Sequence, residues 1–254
     1  MIRGAMYGLL VLAVAAVLFF ADLGKIQSNF FKPEIVGEML PEVLTVAAKN
    51  TVFYTALAFA FGFVFAIALA LMKLSSIGPY RWFANAYIEL FRGLPALVTI
   101  ILVAFGLPIA FGWRIPFGTA GKAAVGLGLV AAAYMAETLR AGIQAVPKGQ
   151  MEAAQSLGMS PASAMKNIVL PQAFRIIIPP LTNELVLLIK DTSLLFVVGT
   201  TPATKELTKF GRDFMTTTLN ATPLTVIALV YLIITLPMTS LVRRLEAAAG
   251  KGRR

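Results

Sequence analysis

Long apolar runs, bounded by isolated charges, set the pattern of this chain. Six stand out: residues 5–21 behind Arg3, 51–72 between Lys49 and Lys73, 94–113, 123–143, 176–198, and 223–242, which Arg243 and Arg244 close. Each approaches the roughly 20 residues that a helix needs to cross about 30 Å of hydrocarbon. The runs are continuous, whereas barrel strands alternate apolar and polar positions. A helix also satisfies its backbone hydrogen bonds within one segment, as hydrocarbon demands. Gly62, Gly93, Gly106, Gly126 and Gly128 sit in or beside the runs, where small residues let helices approach closely. The pattern predicts an all-α membrane protein, a bundle of six transmembrane helices.

Composition agrees. Of 254 residues, 58% are hydrophobic and 13% charged, and mean hydropathy is +0.82. A soluble domain carries about a quarter charged residues. The net charge of +10 does not call for nucleic acid, because the basic residues punctuate the apolar runs rather than form one patch. With the C-terminal tail placed in the cytoplasm, thirteen Lys and Arg fall inside against eight outside, and Lys190 stays within a span. This bias predicts both termini inside. The chain has no Cys and no His, which removes disulfides, thiol chemistry, His-based triads and His metal sites. A basic start and an apolar core also describe a signal peptide. The run at 5–21 is long for that, and Phe19-Phe20-Ala21-Asp22 makes a poor cleavage site, so a retained helix is expected.

The loop at 144–175 is the longest on the cytoplasmic side. Residues 150–157 are good helix formers. Gly158 suits the left-handed position that ends a helix. Ser160 can cap the next helix and Pro161 fits its first turn, while Pro171 should break or bend it. Ala153, Ala154 and Gly158 make one side of this elbow slim. Such an elbow can dock into a partner's groove, or it can pack on its own bundle.

Glu152-Ala153-Ala154, Gly158, Ile168 and Leu170-Pro171 resemble the EAA signature of permease subunits in ABC-type importers. Four further stretches resemble the polar amino acid branch: Glu89 to Pro95, Ala136 to Ile143, Val146 to Gln150, and Lys190-Asp191-Thr192-Ser193-Leu194. The likeness covers about residues 45–245. It implies a five-helix permease core at 49–245, preceded by an extra helix and extracytoplasmic loop at 1–48 and followed by a basic tail at 246–254. It further implies a coupling helix in which Gly149, Glu152, Ala153, Ala154, Leu157, Gly158, Ser160 and Pro161 meet a separate ATPase dimer, with ATP and Mg bound there and no cofactor in this chain. An extracytoplasmic amino-acid-binding protein and a second permease, identical or related, complete the expected partners. Leu94 stands where that branch often has Thr, and Val98-Thr99 where Val-Gln is common.

Ionisable residues at membrane depth are costly and point to function. Lys190 and Asp191 lie about 20 Å along the fifth run at 1.5 Å per residue. Asn183 shares a face with Lys190, and Glu184 with Asp191. This stripe, with Thr192 and Ser193, is expected to face the centre of the assembly. It can serve as an interhelical ion pair or gate, or hold a zwitterion directly. Glu137 and Arg140 can pair along one helix. Glu89 and Arg92 can pair in the same way, and Gly93 and Pro95 loosen the chain beside them, giving either a gate or a plain helix start.

Gly118-Thr119-Ala120-Gly121-Lys122 lacks the first glycine and the final Ser or Thr of a phosphate loop, so no nucleotide site is expected. The leading expectation is an ATP-driven importer permease in the cytoplasmic membrane. Against it stands an ATP-independent secondary transporter or channel, which should show repeated halves with broken helices. A membrane-embedded enzyme would need a polar catalytic cluster built without His or Cys.

Overall fold

The computed structural model describes residues 6–9, 12 and 22–251. The first apolar run, at 5–21, lies almost wholly outside them. Among the described residues the chain is helical throughout, with no strand. Four helical stretches are long and apolar enough to cross a membrane, and a bent helix pair makes a fifth if counted as one span.

The first stretch, Leu23–Leu74, is built in pieces. Asp22 caps α1 (Leu23–Phe30) by accepting from Lys25 N. α2 (Pro33–Glu42) contains Pro41, which has no N–H to give, and the ladder widens after it into a π turn before α3 (Lys49–Leu74). α3 packs along α6 (Gly118–Gln144). Their backbones meet where Gly62 faces Gly128: a Cβ on Gly62 would stand 2.8 Å from the Gly128 carbonyl oxygen. Gly62→Val must therefore push the helices apart, at a cost of about 1–3 kcal/mol or more. Thermal unfolding in detergent should show a clear drop, with folded yield falling alongside.

The run at 94–113 forms a short helix entered through a sharp bend. An amphipathic helix, α4 (Gly78–Gly93), turns by 105° into α5 (Ala96–Phe111). The residue before a proline is driven out of the helical region, and Leu94 and Pro95 are extended, with ψ of 138° and 133°. The expected loosening at Gly93 and Pro95 is thus a sharp corner, and α4 is an element the apolar count passed over.

Beyond α6 come α7 (Lys148–Ser156), the short α8 (Pro161–Ala164), and α9 (Leu170–Asp191). Pro171 does not end its helix. A π turn at Met165–Val169 takes up the missing donor, and the stretch runs on to Val197. At the other end, α10 (Leu207–Thr218) leads to α11 (Thr222–Lys251). Leu207, Phe210, Val226, Ile227 and Val230 there form a second apolar core with Ile35, Met39, Val43 and Ala47.

Candidate functional site

A cavity of about 530 Å³ opens at the corner between α4 and α5. Arg92, Gly93, Leu94, Pro95 and Ala96 form one wall, Leu127 to Tyr134 of α6 a second, and Glu184, Leu187, Leu188 and Asp191 of α9 the third. The α6 residues lie near the middle of that span, so the cavity sits at membrane depth. At the corner, the last carbonyls of α4 and the first N–H groups of α5 have no intrahelical partners. Backbone polar groups are tolerated at this depth where they line a cavity.

Arg92 does not pair with Glu89 among the described residues. It extends over the Tyr134 ring, 5.3 Å from its centroid, a favourable cation–π placement. Glu184 and Asp191, two turns apart on α9, enter the same cavity. One cation and two carboxylates thus face one space. None of the three forms an ion pair within the chain among the described residues.

Other expected residues lie elsewhere. Asn183 and Lys190 are exposed on the adjacent face of α9. Thr192 is buried and donates to the Ile189 carbonyl at 2.6 Å, and Ser193 lies beyond the cavity wall. Glu137 is not in the cavity either. It holds Arg140, at 2.7 Å, and Lys73 from the end of α3, while Arg140 also reaches Gln144. This cluster fastens α3 to α6 at the elbow end. The Lys73 partner, 64 residues away in sequence, has no local signal. Of the two departures from the family pattern, Leu94 lines the cavity and Thr99 is buried beside it in α5.

The elbow has the expected local chemistry. α7 begins at Lys148, two residues before the predicted 150–157, with Pro147 at its start. Gly158 takes φ +86°, its N–H bonds to the Gln155 carbonyl, and Met159 N to that of Ala154. Ser160 Oγ accepts from Ser163 N, and Pro161 opens α8. Gly149, Glu152, Ala153, Leu157, Gly158, Ser160 and Pro161 are exposed, whereas Ala154 is buried against the bundle. Leu157 is 87% exposed at the tip. Gln172 donates to Gln150 at 3.3 Å and ties the elbow to α9.

At the opposite end, Glu206 is fully buried, a feature the sequence reading missed. Its carboxylate accepts from Thr208 N and Lys209 N at 2.6 Å each and from the Tyr231 hydroxyl at 3.3 Å. Burial pushes its pKa from 4.5 up to about 7. A raised folded pKa contributes stability that is full below the unfolded value and lost as pH rises through the folded one. Its share of stability should therefore fall between about pH 4.5 and 7. The difference in unfolding temperature across that range should shrink in Glu206→Gln.

The helical bundle has the spans of a multi-pass membrane protein, a charged cavity at membrane depth and a rigid exposed elbow. The family described as "Binding-protein-dependent transport system inner membrane component" matches residues 62–251, and this chain belongs to that family. It is 39% identical over 205 residues to the probable glutamine ABC transporter permease protein GlnM of Bacillus subtilis (strain 168), covering 78% of this chain and 88% of that one. It is 37% identical over 177 residues to the arginine transport system permease protein ArtQ of the same strain, covering 69% and 78%. A crystal structure of an amino acid ABC transporter superposes with a TM-score of 0.74 at 36% identity, over 83% of this chain and 95% of that one. The MetNI methionine ABC transporter in an inward-facing conformation shares the fold, with a TM-score of 0.69 at 20% identity over 84% and 98%. The resemblance to ABC importer permeases is borne out. The chain is a multi-pass inner-membrane permease rather than a catalytic subunit.

Proposed function

We propose that this chain forms the translocation path of an ATP-driven importer for a polar amino acid. The single observation that carries the reading is the cavity at the α4–α5 corner, which brings Arg92, Glu184 and Asp191 to one space. A zwitterion fits that set: its carboxylate meets the Arg92 guanidinium, which favours planar oxyanions, and its ammonium lies between the two carboxylates. The relatives named for glutamine and arginine transport support the same substrate class.

Energy comes from a separate ATPase dimer that binds ATP and Mg and docks on the elbow around Glu152 and Gly158. The exposed Leu157 and the rigid left-handed turn suit such a contact. Two permeases, as a homodimer or a related pair, alternate between outward- and inward-facing states. An extracytoplasmic binding protein delivers substrate to the face that carries α10. Both termini are cytoplasmic; the helix expected at 5–21 lies almost wholly outside the described residues.

The charge set gives a test. With the ATPase and binding protein assembled in vesicles, neutral polar or basic amino acids should stimulate ATP hydrolysis, and dicarboxylic amino acids should not, because a second substrate carboxylate would oppose Glu184 and Asp191. Equal stimulation by dicarboxylates or by sugars would count against the reading.

A further inference from the structure

α11 is longer than a membrane requires. Its 30 residues extend about 45 Å at 1.5 Å per residue, against about 30 Å of hydrocarbon. The excess carries Arg243, Arg244 and the following turns past the apolar run. There α11 lies antiparallel to α9, and the two helices leave a pair of clefts that share Arg175. One, about 310 Å³, is lined by Ile178, Pro179, Leu245, Ala248 and Ala249 besides Arg175. The other, about 380 Å³, reaches from Arg175 to Gln172 and Pro147 at the base of the elbow.

Arg175 is exposed and makes no ion pair among the described residues. Arg175 therefore borders both a more apolar cleft on the membrane side and a more polar one on the elbow side. Arg243 and Arg244 add positive charge one to two turns away on α11, with Glu246 as the nearest acid on that helix.

We propose that the paired cleft is a binding site for one anionic phospholipid of the leaflet on the elbow side. The phosphate binds the Arg175 guanidinium, and the start of an acyl chain enters the Ile178–Leu245 cleft. Free phosphate would gain nothing from the apolar part, and a zwitterionic lipid would leave the surplus positive charge unmatched. A protein docked on the elbow could cover Pro147, but it would have to enter the bilayer surface to fill the space beside Ile178. The bound lipid would lie next to Gln172, which holds Gln150 of the elbow at 3.3 Å. Its occupancy would thus stiffen the elbow's base.

The test is native mass spectrometry of the purified chain in nonionic detergent, with equal additions of dioleoylphosphatidylglycerol and dioleoylphosphatidylcholine. The first bound lipid should favour phosphatidylglycerol about fivefold. Arg175→Gln should abolish that preference, and Arg175→Lys should keep most of it. Ala248→Phe, which fills the cleft without changing charge, should weaken the first adduct. Undiminished preference in Arg175→Gln, or an unchanged adduct in Ala248→Phe, overturns the proposal. So does an Arg175→Gln variant that releases the ATPase while lipid preference stays, because the cleft is then a protein contact. None of these readouts depends on which solute is carried.

Discussion

Arg92→Ala is expected to lower ATP-driven amino acid uptake about 100-fold while the bundle stays folded. Loss of a hydrogen bond to a charged group costs about 1.5–3 kcal/mol, and each 1.36 kcal/mol is a factor of about ten in rate. Arg92 has no ion pair of its own within the chain to lose, and it touches the bundle chiefly through the Tyr134 ring. Stability should therefore change little. Arg92→Lys keeps the charge but not the planar fork, so it should recover only part of the uptake. Glu184→Gln and Asp191→Asn should act on the ammonium side, with apparent affinity falling more for basic amino acids than for neutral ones. Transport assays in vesicles, with membrane insertion and ATPase co-purification as controls, separate these effects. Wild-type uptake in Arg92→Ala would remove the cavity from the path.

The second large effect is expected at the elbow. Gly158 holds φ +86°, a conformation that costs an L-residue about 1–2 kcal/mol and a β-branched one more. A Cβ placed there would meet no atom within 4 Å, so any damage comes from the backbone and not from a clash. Gly158→Val should therefore leave the spans intact but reorient α7 relative to α8. ATPase retained through purification should fall about tenfold, with uptake falling in parallel, while Gly158→Ala sits between. Glu152→Lys should weaken the same docking without altering the turn. Full ATPase retention in Gly158→Val would show that the elbow's shape does not matter to the partner.

The sequence carried different parts of this structure with unequal clarity. The spans were legible because hydrocarbon demands a long apolar run. The elbow was legible because Gly158, Ser160 and Pro161 each have a local conformational role, and the structure gives each that role. The corner at Leu94–Pro95 was half legible. Pro95 forbids a helical Leu94, but nothing local fixes the 105° angle, and α4 is too polar on one face to stand out as a span. Arg92 shows why local pairing misleads: Glu89 is three residues away, yet the side chain turns to the cavity wall at Tyr134. The Lys73–Glu137 pair and the burial of Glu206 arise only when distant segments meet. An isolated acid in a polar loop reads as surface until α10 and α11 close over it.

The central claim is that this chain moves an amino acid only when an ATPase drives it through the Arg92–Glu184–Asp191 cavity. The most direct measurement is uptake of radiolabelled amino acids into vesicles holding this permease, its ATPase and enclosed ATP, with binding protein outside. The account predicts uptake that requires hydrolysable ATP and disappears in Arg92→Ala. Uptake by the permease alone, unaffected by ATP or its ATPase, would contradict it and make the chain a secondary transporter or channel.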